Sequence, residues 1–212
     1  MDLQAMRREY GLGSLHREQL NSDPVKQFEL WMQQAIDSGL LSDPTAMTVA
    51  TVNNELVPSQ RIVLLKGYDH KGFRFYTNKN SQKGQDISTN SQVNLHFAWL
   101  PLERQISITG SAIPLDSEDN DRYFHSRPKE SQVAALASQQ SRPVESRDVL
   151  ESHYKSLLRE YENTEVPRPE HWGGYCVEPQ QFEFWQGGQH RLHDRYLYSK
   201  DGSNWRITRL QP

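Results

Sequence analysis

Val93-Asn94-Leu95-His96-Phe97-Ala98-Trp99 sets a large apolar side chain at every second position, with Asn94, His96 and Ala98 between them. That period of two is the signature of a strand with one face in a core. A few residues on, Ile106 and Ile108 oppose Gln105, Ser107 and Thr109, which predicts another strand with one wet face. Toward the N-terminus, Ala46–Val52 and Arg61–Lys66 read as strands joined across Asn53-Asn54, and Phe73–Thr77 puts Phe73 and Phe75 on one face. Toward the C-terminus, Tyr175–Val177, Gln181–Trp185, Arg195–Tyr198 and Trp205–Leu210 have strand composition, with Asp201-Gly202 as a hairpin turn.

Helices interrupt this run. Asp23-Pro24 is an N-cap followed by a first-turn proline; Phe28, Trp31, Ala35 and Ile36 recur at helical spacing, and Gly39 ends the pattern. In the middle, Ser117–Ser126, a piece with Pro128 at its first position, and a longer helix are predicted. The longer one carries a stripe of Val149, Leu150, His153, Tyr154, Leu157, Leu158 and Tyr161. No regular βαβ alternation appears, so the expected fold is mainly β: an antiparallel barrel with flanking helices packed outside. Residues 1–22 are polar and read as a mobile arm, and residues 23–212 as one domain.

Composition narrows the function. Aliphatic residues are scarce in the 212-residue chain, but 5 Trp, 9 Tyr and 7 Phe supply burial. A formal charge of -3 argues against a surface built for nucleic acid or anionic lipid, so any anion site is local. The lone Cys176 excludes an internal disulfide and reads as a buried small side chain; no apolar run reaches the ~18 residues of a membrane span, and a cytoplasmic location is expected. Strand-anchored G-x-G-x-x-G, the phosphate-binding G-x-x-x-x-G-K-[ST] and the G-x-S-x-G elbow are all missing. His190 and His193 have no further ligands gathered near them in sequence, so no metal is expected.

The densest chemistry lies in Phe184-Trp185-Gln186-Gly187-Gly188-Gln189-His190-Arg191-Leu192-His193-Asp194-Arg195. If residues 191–195 are extended, Arg191, His193 and Arg195 share a face, and that positive charge calls for an anionic or electron-rich partner. The two glycines and the tryptophan suggest a shaped pocket with a planar wall.

This segment resembles the C-terminal signature of the pyridoxamine 5′-phosphate oxidase family. The resemblance runs on through Asp43-Pro44-Thr45-Ala46-Met47, Arg61-Ile62-Val63-Leu64-Leu65-Lys66, Phe75-Tyr76-Thr77-Asn78, Leu102-Glu103-Arg104-Gln105, Tyr123-Phe124-His125-Ser126-Arg127-Pro128, His171-Trp172-Gly173-Gly174 and the arm residues Arg7-Arg8-Glu9-Tyr10. It implies an FMN-binding split barrel, working as a homodimer with flavin at the interface. The implied reaction oxidises pyridoxine or pyridoxamine 5′-phosphate to pyridoxal 5′-phosphate, with dioxygen as final acceptor.

FMN and substrate each carry a phosphate, so the chemistry demands two cationic clusters. By the resemblance, FMN is held by the run Arg61, Ile62, Val63, Leu64, Leu65 and Lys66, by Tyr76, Thr77, Gln82 and Lys83, by Gln140 and Ser141, and at its ring by Gln105, Trp185 and Arg195. The substrate phosphate falls to Lys66, Tyr123, Arg127 and Ser131. Arg191, Leu192 and His193 flank the rest of the substrate, with Arg191 and His193 beside the reacting carbon, and Arg7, Arg8, Glu9 and Tyr10 close over it. Arg61 and Lys66 are an odd number apart, which in a regular strand sends them to opposite faces; either the strand bulges or they serve different phosphates, and the resemblance implies the second. The family commonly has arginine where this chain has Gln82, so a weaker grip on FMN is expected here. A split-barrel reductase using a nicotinamide donor, or a non-catalytic carrier of FMN or pyridoxal phosphate, is the alternative reading. The Tyr123, Arg127, Ser131 and Arg191–Arg195 groups favour a small phosphorylated substrate over either.

Overall fold

The computed structural model describes residues 1–6 and 8–212. Nine strands are seen among them: β1 (Ala46–Val52), β2 (Pro58–Leu64), β3 (Gly67–Asp69), β4 (Gly72–Asn78), β5 (Gln92–Trp99), β6 (Arg104–Pro114), β7 (Trp172–Gln186), β8 (Asp194–Asp201) and β9 (Asn204–Leu210). Five helices accompany them: α1 (Pro24–Asp37), α2 (Gln82–Thr89), α3 (Ser117–Ser126), α4 (Lys129–Ala137) and α5 (Arg147–Glu160). No helix in the described residues is long and apolar enough to cross a membrane.

The strands form one antiparallel sheet in the order β2-β1-β5-β6-β7-β4-β3, with β8 and β9 continuing from the far end of β7. It curls until its edges meet. The Leu65 N–H still bonds Thr45 beside β1, at 2.9 Å, whereas the Lys66 N–H bonds Arg74 on β4, at 2.8 Å. The chain therefore changes partner between these two residues and joins the ends of the sheet, giving the expected split barrel. This also corrects the strand predicted over Arg61–Lys66. It runs over Pro58–Leu64 and stops at the crossover, so the face-parity argument linking Arg61 to Lys66 does not carry through.

Inside the barrel lie Phe73, Phe75, Leu95, Phe97, Ile106, Ile108, Phe182 and Phe184, closed by Phe28 and Trp31 of α1. Phe28 sits edge-on to Phe73 at 4.9 Å, and Trp31 edge-on to Phe184 at 5.3 Å. Fully burying one such ring stabilises by roughly 1.5–3 kcal/mol, which is how a chain poor in aliphatics holds a core. The start of α1 is as predicted: the Asp23 side chain accepts from the Val25 N–H at 2.9 Å, and Gly39 just past the end has a left-handed φ of 63°. A second cluster, Phe124, Val133, Val166 and Trp172, joins α3 and α4 to the sheet, with Tyr154, Leu157 and Leu158 of α5 and its C-cap Tyr161 packed on it. Val149 and Leu150 of the predicted stripe stay exposed.

Three further readings need correction. The strands predicted at Tyr175–Val177 and Gln181–Trp185 are one strand, β7, which crosses Pro179 because the β6 register shifts at Thr109/Gly110 opposite it. Only glycine fits that shift, since a Cβ on Gly110 would lie 2.1 Å from the Glu178 carbonyl. Pro128 is the N-cap of α4 rather than its first helical residue. Residues 191–195 are not an extended run: Gln189–Arg191 form a tight turn with His190 and Arg191 at φ 54° and 65°, and strand geometry begins at Asp194. Helix α2 was not predicted at all, because Ile87 is its only large apolar side chain in the core.

Candidate active site

A cavity of about 660 Å³ opens between the barrel and the helical layer, lined in part by Ile62, Val63, Leu64, Lys66, Tyr76, Thr77, Lys83, Tyr123, Arg127, Gln140 and Trp172. Helix α2 carries Lys83 to its wall. The ammonium is buried, 7% exposed, and donates to Gln140 Oε1 at 2.7 Å, Thr77 Oγ1 at 3.1 Å and Ser81 Oγ at 3.3 Å. All three are neutral oxygens. Burial, with the charge of Arg61 adding to it, pulls the Lys83 pKa down to about 8. A buried ammonium held only by neutral oxygens, with a second cation near enough to depress it, is a site for an anion; Arg61 itself does not line the cavity.

Arg61 points from β2 toward α2. Its Nη1 donates to Thr51 Oγ1 and its Nη2 to Ser59 Oγ, both at 2.7 Å. Those hydroxyls donate in turn to the buried Asp86 carboxylate at 2.6 and 3.1 Å. Gln82 is exposed; its amide donates to the other Asp86 oxygen at 2.8 Å and does not reach the cavity wall. Burial by itself would raise the Asp86 pKa, but the Thr51, Gln82 and Ser59 hydrogen bonds and the Arg61 charge outweigh it and hold the group below the ordinary carboxylate range.

The second expected cluster lines the same cavity. Arg127 lies over the Trp172 ring, 4.9 Å from its centroid, and gives Nη2 to the Ser131 carbonyl at 2.9 Å. Its Nη1 is buried with no partner among the described residues. A buried donor left unmade costs about 1–3 kcal/mol, so an acceptor belongs there. Tyr123 stacks on Tyr76 at 3.9 Å, and Tyr76 on Trp172 at 5.4 Å, which fixes the wall beside it. Lys66 is exposed at the mouth; Ser131, in the first turn of α4, does not line the cavity. Leu65 is in the core, and Ser141, at φ 69°, lies on the exposed loop after Gln140.

The remaining site residues gather elsewhere. Gln105, Trp185 and Arg195 stand side by side across β6, β7 and β8. His193 packs against Trp185 with ring centroids 4.6 Å apart, and Tyr10 stands edge-on to both, at 5.8 Å from Trp185 and 5.3 Å from His193. The Gly188 N–H donates to His193 Nδ1 at 3.1 Å, so with the ring so placed the neutral imidazole carries its proton on Nε2. Arg195 pairs with Glu183 at 2.8 Å. Arg191 and Leu192 are exposed on the turn.

The expected arm is docked here rather than free. Glu103, which sequence reasoning missed, is 6% exposed and takes the Gly11 and Leu12 N–H groups at 2.8 and 3.0 Å and the Arg8 guanidinium at 3.3 Å. Glu9 accepts from the His190 N–H at 3.3 Å, and Asp194 from the Leu15 N–H at 2.9 Å. Arg7 lies outside the described residues.

These two groups stand at opposite ends of β7. Tyr76 is paired with Gly174 near its start, and Trp185 lies eleven residues further on. At ~3.3 Å per residue that is about 35 Å of strand.

A family profile described as pyridoxamine 5′-phosphate oxidase matches residues 32–158, and one described as the pyridoxine 5′-phosphate oxidase C-terminal dimerisation region matches residues 172–212. The chain is 87% identical over its whole length, and the whole of the relative, to pyridoxine/pyridoxamine 5′-phosphate oxidase of Idiomarina loihiensis. Against the protein of that name from Vibrio cholerae it is 56% identical, again over both full lengths. Among solved structures, PhzG from Burkholderia lata, in complex with tetrahydrophenazine-1-carboxylic acid, superposes with a TM-score of 0.87 at 30% identity, over 93% of this chain and 98% of that one.

Proposed function

The chain belongs to the pyridoxamine 5′-phosphate oxidase family, and from that premise we propose that it oxidises pyridoxine or pyridoxamine 5′-phosphate to pyridoxal 5′-phosphate on FMN held between two copies of itself. The observation that carries this reading is the division of the site. The phosphate-seeking cations line a cavity near the start of β7, and the ring-holding and reacting groups gather near its end. A two-fold dimer brings the end of one chain to the cavity of the other, and an isologous contact makes two such sites at once.

FMN fits the residues present. Lys83 is a buried cation whose partners are all neutral oxygens, the resemblance adds Arg61 as the second cation, and Thr77 and Gln140 complete a phosphate cradle from side chains already bonded to Lys83. Bound FMN supplies a two-electron acceptor that dioxygen regenerates, yielding hydrogen peroxide. Lys66, Tyr123 and Arg127 hold the substrate phosphate, and the unpartnered Nη1 of Arg127 gains its acceptor there. From the partner copy, Gln105, Trp185 and Arg195 bind the flavin ring, while Arg191 orients the substrate as a permanent charge. His193 offers Nε2–H, since Nδ1 is occupied by Gly188, so it serves as a hydrogen-bond donor to the substrate in this arrangement. The arm over Trp185 and His193 excludes water from the completed site.

The test has two arms. The purified protein is yellow and consumes oxygen while converting both phosphorylated substrates to the aldehyde; a yellow protein that turns over neither overturns the oxidase reading. Arg127→Met and Arg191→Met, each inactive alone, restore about a quarter of wild-type turnover when co-expressed, because half the dimers are mixed and each holds one intact site. No restoration places the whole site in one chain.

A further inference from the structure

Asp86 has no place in the site as expected from sequence, yet its carboxylate organises Arg61, the cation beside Lys83 that the resemblance gives to the FMN phosphate. It is 2% exposed and takes three side-chain hydrogen bonds, from Thr51 at 2.6 Å, Ser59 at 3.1 Å and Gln82 at 2.8 Å. The direction of the first two matters. A hydroxyl has one proton, and both are spent on Asp86 Oδ2, so the oxygens of Thr51 and Ser59 turn lone pairs outward. Arg61 uses those lone pairs, Nη1 on Thr51 and Nη2 on Ser59, each at 2.7 Å. Its guanidinium stands 3.9 Å from Asp86, so the charges attract without direct contact, and Val49 O accepts a further bond from Nη1 at 3.3 Å.

We propose that Asp86 is a positioning residue for cofactor binding: through Thr51 and Ser59 it locks the Arg61 guanidinium in the orientation that receives the FMN phosphate. This rests on the reading that FMN occupies the cradle. Gln82 is then a brace on the carboxylate. A carboxylate beside a phosphate site ordinarily weakens anion binding by repulsion. Here it is separated from the cradle by two hydroxyls and a cation, so the gain from a preordered guanidinium exceeds the repulsion.

The experiment measures FMN and riboflavin dissociation constants by flavin fluorescence, on apoprotein prepared from the holoenzyme, for wild type, Asp86→Ala, Asp86→Asn and the same changes with Arg61→Met. Riboflavin lacks the phosphate, so it reports general damage to the fold. Asp86→Ala is expected to weaken FMN about tenfold and riboflavin less than twofold, with Asp86→Asn, which keeps an acceptor oxygen, in between. With Arg61→Met already present, Asp86→Ala should change FMN binding by less than about twofold, since the interaction it serves is gone. Equal losses for both flavins, additive losses in the double variant, or tighter FMN binding each overturn the proposal. Should Asp86→Ala fail to fold, Ser59→Ala removes the acceptor of Nη2 together with one of the three hydrogen bonds to Asp86; it should weaken FMN about threefold and leave riboflavin unchanged, and no change in FMN binding overturns the proposal. A wild type that does not prefer FMN to riboflavin overturns the FMN reading itself, and the proposal with it; a wild type that does, with variants that match it, overturns only the role of Asp86.

Discussion

Raising the pH from 7 to 9 should loosen FMN by way of Lys83. Burial first, and the Arg61 charge second, bring the ammonium from 10.5 to about 8 in the ligand-free protein. The FMN phosphate is already a dianion above pH 7, its second pKa being about 6, so it does not titrate across this window. When the dianion binds against Nζ it restores the proton affinity that burial removed. Binding above pH 8 therefore takes up a proton, and that uptake costs more as the pH rises. With a free-protein value of about 8, the charged fraction falls from ~0.9 at pH 7 to ~0.1 at pH 9, so the FMN dissociation constant should rise about tenfold over those two units. Stability of the ligand-free protein should move the other way. The unfolded chain keeps this proton up to 10.5 and the folded one only to about 8, so between those values unfolding takes up a proton and folded-state stability rises with pH. Fluorescence titration of FMN at half-unit steps, with riboflavin as the phosphate-free control, measures the first slope; urea unfolding of apoprotein measures the second. Lys83→Arg, charged throughout, should flatten the FMN profile. A flat wild-type profile, or a slope that survives Lys83→Arg, refutes the reasoning.

Four other changes probe the remaining parts. Arg127→Met removes the unpartnered Nη1 together with the Nη2 bond to the Ser131 carbonyl, so the ligand-free protein should hold its stability to within about 1 kcal/mol while the substrate dissociation constant, measured by equilibrium binding, rises at least tenfold; an unchanged constant removes Arg127 from the substrate-phosphate site. Gly187→Ala sets a Cβ 2.6 Å from Tyr10 Cδ1 and should displace the arm, raising KM several-fold with little change in Tm, because the arm yields before the strand does. Glu103→Gln removes the charge that holds Arg8 and weakens its bonds to Gly11 and Leu12; limited proteolysis should then cut within residues 1–12 at least tenfold faster, and an unchanged rate removes Glu103 as the anchor. Gln82→Arg adds a charge at the start of α2 and should tighten FMN about tenfold, in line with a charge-assisted bond of ~1.5–3 kcal/mol; an unchanged constant counts against the weaker grip expected of this chain.

The barrel was legible because its strands obey a rule that acts residue by residue. Alternation at Val93–Trp99 and Ile106–Ile108 survives in the structure as buried rings and aliphatics on one face. Ser117–Ser126 and the Asp23-Pro24 start were legible for the same reason, since caps and first-turn prolines act locally. Failures came where geometry depends on a distant neighbour. Nothing near Leu65 announces that its N–H belongs to one strand and that of Lys66 to another; Pro179 breaks a strand by its own chemistry and is tolerated only because Gly110 lies opposite. The left-handed turn at His190 and Arg191 runs against both residues' backbone preference, at a cost of about 1–2 kcal/mol each, and no local signal offsets it.

The site divides along the same line. The resemblance named the expected site residues, and the structure gathers many of them into two groups. Their support was not legible. Asp86 lies three residues past Lys83, on the buried side of a helix that has too little apolar surface to be predicted, and it meets Thr51 and Ser59 only through the β1–β2 hairpin. Glu103 reads as one more charge in a turn until the arm folds back onto it from ninety residues away. The greatest distance is the one between the two halves of the site, about 35 Å along β7. Under the proposed function Arg127 and His193 carry the same substrate although they lie toward opposite ends of β7. On that proposal the unpartnered Arg127 Nη1 and the exposed Arg191 would be complementary features of one closed site, each met by the other end of a second copy.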